Sequence, residues 1–126
     1  MLVNAHHVKH VPGRKTDVRD CFAVIVSAED VTVGKPDPSG YLLTAQLLSE
    51  KMLKAGPPLR PADCLVVEDA PKVIQSARSV GFRTLGVATS YPMVKLTDAD
   101  WAVKSLEPAE VDREVPDLRL MEGVRA

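Results

Sequence analysis

Cys64-Leu65-Val66-Val67-Glu68-Asp69-Ala70-Pro71 is the stretch on which the fold turns. A short apolar, β-branched run of this kind fits a strand buried on both faces. The run stops at two carboxylates, and Pro71 then suits the first turn of a helix, where its missing N–H costs nothing. Ile74, Ala77 and Val80 supply that helix with an apolar stripe, and Gly81 is a natural residue to end it. Outward from this unit, Thr84 to Ala88 and Trp101-Ala102-Val103 read as further strands. Upstream, Phe22-Ala23-Val24-Ile25-Val26-Ser27 reads as another buried strand. After a loop with Gly34, Pro36 and Pro38, Leu42, Leu43, Ala45, Leu47, Leu48, Met52 and Leu53 recur at helical spacing over Ser39 to Lys54. Ser39 is the expected cap, and Gly56, Pro57, Pro58 and Pro61 end the segment.

Strands alternating with helices at these connection lengths predict an α/β fold, with right-handed βαβ units in an open, Rossmann-like parallel sheet. Ligands of such sheets bind outside the carboxyl ends of the strands. Glu68 and Asp69 fall at that edge. Pattern alone leaves a second reading open, in which the pair is a solvated loop or a negative charge favourable to the dipole of the next helix.

Composition narrows the class of protein. The chain has 126 residues, 45% of them apolar and 26% charged, with a formal net charge of -1. These values are ordinary for one globular domain and point to neither nucleic acid nor a membrane surface. The two cysteines, Cys21 and Cys64, lie far apart with no CxxC spacing, so they read as reduced thiols. No apolar run approaches the length of a bilayer span, and the N-terminus lacks the apolar core of a signal peptide, so a cytoplasmic protein is expected.

Gly34-Lys35-Pro36-Asp37-Pro38, followed by Val66-Val67-Glu68-Asp69-Ala70-Pro71, resembles the haloacid dehalogenase superfamily. The likeness is to members acting on sugar phosphates and polyol phosphates and to phosphoglucomutases. It runs from Phe22 to Leu106 and takes in Ser27-Ala28-Glu29-Asp30-Val31, Ser76-Ala77-Arg78-Ser79-Val80-Gly81 and Ala99-Asp100-Trp101. In that family an aspartate attacks the phosphoryl group, and a water activated by a second aspartate hydrolyses the aspartyl-phosphate. The resemblance implies that Lys35 bridges nucleophile and phosphate with a compact positive charge. It implies that Glu68 and Asp69 hold magnesium, a hard cation that prefers carboxylate oxygens, with Asp69 in direct contact. Gly34 would permit the turn, Pro36 and Pro38 would restrict the loop, and Asp37 would support it.

The family's DxD nucleophile motif, its Ser or Thr strand and its cap domain have no counterpart in this sequence. The expectation is a truncated C-terminal half of the core, inactive alone, with a gap in its sheet and weak magnesium binding. Val73 is a further departure, since relatives usually carry glycine there. Unpaired strand edges would favour self-association or a completing chain. An active phosphatase completed by another polypeptide, acting on a small phosphorylated metabolite, is one alternative. A non-catalytic interaction module that recruits a partner by strand addition is another.

Residues 1–21 differ in character, being rich in His, Lys, Arg and Asp around the Pro12-Gly13 turn signal, and read as irregular. The string Val11-Pro12-Gly13-Arg14-Lys15-Thr16-Asp17-Val18-Arg19-Asp20, with Val3 to His10 before it, resembles a segment of insertion-sequence transposases with a four-carboxylate, RNase-H-like domain. That likeness implies that Asp17 and Asp20 match late acidic positions of a two-metal site. His6, His7 and His10 belong to the same string and read as solvated. A chimeric reading frame with its junction near Asp20 to Phe22 would account for both likenesses. The expected units are therefore 1–21, 22–106 and a loosely ordered tail, 107–126.

Overall fold

The computed structural model describes residues 22–52 and 57–115. Residues 1–21 with Cys21, for which a transposase likeness is expected, residues 53–56, where the first helix is expected to end, and the tail from residue 116 lie outside the described residues. In chain order the regular elements are α1 (Ser39–Met52), β1 (Leu65–Glu68), α2 (Pro71–Ser79), β2 (Arg83–Val87), β3 (Trp101–Val103) and α3 (Pro108–Glu114). Three short 3-10 turns, Ala28–Asp30, Pro61–Asp63 and Met93–Lys95, lie between them.

The α/β expectation holds, because β1, β2 and β3 form a parallel sheet in that order. Val66 faces Thr84, Glu68 faces Gly86, and Gly86 in turn faces Ala102. Val66, Leu85 and Val103 are buried almost completely, and β2 is covered on both faces, whereas β1 alternates, with Val66 and Glu68 buried and Val67 exposed, so the expectation of burial on both faces fails for β1. Pro71 opens α2, whose Val73, Ile74 and Ala77 are buried. Gly81 follows with φ +96°, a conformation that side chains with a Cβ rarely adopt. Val73 fills space in the core, where it joins Tyr41, Leu48, Val66 and Phe82 in one apolar cluster.

Four expectations need correction. Phe22 to Val26 forms no strand. A strand needs a neighbouring ladder, and among the described residues none reaches this segment. It is held by packing, through Ala23, Val24 and the buried Val26, and by Lys51 Nζ, which donates to the Ala23 carbonyl at 2.5 Å. The described sheet consequently has no gap.

Ser39 does not cap α1 but is its first residue, and the capping acceptor is Asp37. Its Oδ1 takes the Ser39 N–H at 2.9 Å and also the Ser39 hydroxyl. Gly34 is not needed for its conformational freedom, since its φ is not positive and an added Cβ would meet nothing within 4 Å. Residues 107–115, expected in a loose tail, include α3. Glu110 pins this helix by accepting from the Lys104 N–H at 2.6 Å, and the buried Val115 inserts beside Leu85, Val87 and Val103.

The amino-terminal edge of the sheet is fixed by a polar knot. Asp100 Oδ2 accepts from the N–H and hydroxyl of the buried Thr84 at 2.7 and 3.0 Å, and the Asp100 N–H returns a bond to Thr84 Oγ1 at 3.1 Å. Arg78 adds an ion pair to Asp100 at 3.6 Å. With one end anchored in this way, the carboxyl ends hold a defined spacing. Near the carboxyl end of β2, a Cβ on Gly86 would come within 3.3 Å of Leu96 and Ala99 and 3.4 Å of Ile74. Gly86→Ala is therefore expected to destabilise the fold by about 1–2 kcal/mol, read as a lower urea midpoint at unchanged slope.

Candidate active site

Chain order brings the chemistry to one edge. Glu68 is the last residue of β1, Asp69 follows it, and Thr89 and Ser90 follow β2. The loop before α1 delivers Lys35 to the same place. Lys35 Nζ donates to Glu68 Oε2 at 2.7 Å, across 33 residues of sequence. An open cleft of about 420 Å³ is lined by Lys35, Glu68, Asp69, Thr89, Ser105 and Leu106 among others. All three residues that the sequence resemblance singles out thus meet at this cleft. A second, more apolar cavity of about 420 Å³ is lined by Val26, Val31, Val33, Tyr41 and Thr44 together with Lys35.

Glu68 is nearly buried, with 7% of its side chain exposed against 48% for Lys35. Its carboxylate is saturated. Oε2 accepts from Lys35 and from the Tyr41 hydroxyl, and Oε1 accepts from the Asp69 N–H at 3.1 Å and the Ala70 N–H at 3.4 Å. A carboxylate offers about four lone-pair positions, and here each has a donor. Burial alone would push the Glu68 carboxyl up, but the bonds from Lys35, Tyr41 and Asp69 outweigh it and bring it down to about 2. For Lys35, burial favours loss of the proton, whereas the bond to Glu68 and the neighbouring Tyr41 carry the ammonium above its ordinary range. Burial and the adjacent Glu68 likewise hold the Tyr41 phenol protonated well beyond its usual range.

Asp69 is placed differently. Its Oδ2 accepts from Ser90 Oγ at 2.5 Å, and no described donor engages Oδ1. Magnesium takes a near-octahedral set of oxygens. Among the described residues no group of three or more His, Cys, Asp or Glu is arranged to hold a metal ion. An ion at Glu68 would have to displace Lys35, Tyr41 or two amides. The described residues therefore do not fit a magnesium site by themselves, and Asp69 is the cleft carboxylate with an oxygen to spare.

Tyr41 and Ser90 escaped the sequence reading. Tyr41 lies in the helical stripe, where an aromatic residue reads as core. Ser90 could have been found from its place just beyond a strand end, the edge at which open sheets bind ligands.

The description "haloacid dehalogenase-like hydrolase" matches residues 3–81, more than half of the sequence, and the chain belongs to that family. The match takes in the segment 3–20. Hexitol phosphatase A of Escherichia coli K12 is 37% identical over 91 residues, which are 72% of this chain and 38% of that protein. Beta-phosphoglucomutase of Bacillus subtilis is 33% identical over 81 residues, 64% of this chain and 32% of that protein. The crystal structure of a hydrolase from Pseudomonas syringae superposes with a TM-score of 0.58 at 25% identity, covering 82% of this chain and 42% of that one. The chain spans well under half the length of these relatives.

No helix among the described residues is long and apolar enough to cross a membrane.

The Glu68 carboxyl titrates lower in the folded chain, about 2, than its ordinary 4.5. Its contribution to stability is complete above the ordinary value and is lost as pH falls through the folded one. The urea midpoint should therefore fall on acidification between these values. Glu68→Gln should flatten this fall and cost about 1–3 kcal/mol at neutral pH by leaving Lys35 unpaired.

Proposed function

We propose that the chain contributes the lysine-and-carboxylate half of a magnesium-dependent phosphomonoesterase site for small sugar or polyol phosphates, acting in the cytoplasm. In this reading the described residues supply only part of that site and hydrolyse no ester by themselves. The observation that carries it is the Lys35–Glu68 contact beside Asp69, at the carboxyl edge of a parallel sheet. The names of hexitol phosphatase A and beta-phosphoglucomutase among the relatives support this choice of substrate class.

The chemistry divides by residue. The Lys35 ammonium, kept protonated by Glu68, offers a fixed positive charge to a phosphoryl oxygen. Asp69, braced by Ser90, has the carboxylate oxygen that a magnesium ion would take, and the ion would neutralise phosphate charge there. Aspartyl-phosphate chemistry also needs a free nucleophilic carboxylate. Glu68 is saturated, and Asp69 is the metal-side group, so the nucleophile belongs to another strand or another polypeptide.

Completion by a second chain is the alternative reading. It is favoured by the outer edge of β1, which has no strand beside it among the described residues and where Val67 is 36% exposed. A strand added there could equally make the chain a non-catalytic interaction module. Co-purification with a chain bearing a DxD strand separates these two. The fused reading frame is favoured by the transposase-like string at 3–20 and opposed by the family match that starts at residue 3. An uninterrupted phosphatase gene with no mobile-element ends nearby would dismiss it.

The test is twofold. With p-nitrophenyl phosphate and magnesium, the native chain, Lys35→Ala and Asp69→Asn should all be inactive. Inorganic phosphate, followed by its ³¹P linewidth, should bind the native chain and lose at least about fivefold in affinity in Lys35→Ala, the charged hydrogen bond being worth roughly 1–3 kcal/mol. Native turnover lost in both variants would mean a complete site within the chain. Equal phosphate affinity in native and Lys35→Ala would remove the role given to the lysine.

A further inference from the structure

Tyr41 lies in the first turn of α1 and is 2% exposed. Its ring packs edge-on to Phe82, with centroids 6.1 Å apart and planes at 61°. Phenylalanine would satisfy that packing equally well, and the hydroxyl therefore has to be explained separately. It donates to Glu68 Oε2, the oxygen that also receives Lys35 Nζ. The ammonium also lies 5.4 Å from the centre of the Tyr41 ring, within reach of a cation–π attraction. Lysine, carboxylate and phenol thus form one closed cluster. The remaining carboxylate oxygen is fixed by the Asp69 and Ala70 amides at the start of α2.

A lysine ammonium on four flexible carbons is a poor positioning device unless something restricts it. The loop constrains the backbone of Lys35, but nearly half of the side chain is exposed. What fixes Nζ is one oxygen atom, and what orients that oxygen from the core side is the phenol. We propose that Tyr41 is a positioning residue, whose hydroxyl locks the Glu68 carboxylate so that Lys35 Nζ is held at the cleft in place for a phosphoryl oxygen. The purpose assigned to the lock rests on the reading of the cleft as a phosphate site. The lock itself rests on the contacts alone.

The experiment is ¹⁵N relaxation of the Lys35 ammonium in the full chain at fixed neutral pH, without ligand. The native order parameter is expected near the rigid end, about 0.8, falling below about 0.6 in Tyr41→Phe while the ring packing is kept. Glu68→Gln should release the ammonium in the same way. An unchanged order parameter in folded Tyr41→Phe would reduce the hydroxyl to a packing detail and overturn the proposal.

Should Tyr41→Phe fail to fold, the tyrosine Raman doublet provides an independent reading. The chain has two tyrosines, so a Tyr91→Phe background leaves Tyr41 alone. A strong-donor doublet that weakens in Glu68→Gln supports the lock, and one that does not respond overturns it. Inorganic phosphate added to the same samples separates the two levels. If Lys35 ordering depends on the Tyr41 hydroxyl but phosphate does not bind, the positioning role stands and the reading of the cleft as a phosphate site falls.

Discussion

The contact between the Lys35 ammonium and the Glu68 carboxylate is the constraint on which the site depends. It joins a loop and a strand end 33 residues apart, at the edge where a parallel sheet offers its ligand position. A nearly buried carboxylate without partners would be costly, and the fold answers with four donors. Three of these come from elements that must already be in place: the Tyr41 hydroxyl from α1, and the Asp69 and Ala70 amides from the turn into α2. The cleft is consequently a product of the core, since Tyr41 belongs to the same apolar cluster as Leu48, Val66 and Phe82.

The same saturation divides the roles of two adjacent carboxylates. Glu68 is committed to the lysine, while Asp69, one residue further and past the end of β1, keeps an oxygen toward the cleft. Strand geometry makes this division natural, because successive side chains leave a strand on opposite faces. Glu68 turns to the buried side where Lys35 and Tyr41 meet it, and Asp69 reaches Ser90 beyond β2. What the described residues lack is a further carboxylate for metal or phosphoryl chemistry.

Much of this was legible in the sequence. The apolar runs at 64–67, 84–88 and 101–103 each became a strand within a residue or two, and Pro71 and Gly81 marked the limits of the helical turn between them. Lys35, Glu68 and Asp69 were visible as candidates through motif resemblance. Phe22 to Val26 misled because an apolar β-branched run records burial, and burial does not require a ladder. Val26 is buried without one. Tyr41 was hidden for the opposite reason, since its ring satisfies the helical pattern and its hydroxyl leaves no trace in periodicity. Ser39 and Asp37 are both good cap residues two positions apart, and only the backbone geometry decides between them.

The most direct measurement is an experimental structure of the chain with magnesium and inorganic phosphate. The account predicts that Lys35 Nζ stays within hydrogen-bond reach of Glu68 and that any ion or phosphate lies on the Asp69 side of the cleft. A metal ion bound to Glu68, with Lys35 and Tyr41 displaced from its oxygens, would contradict it.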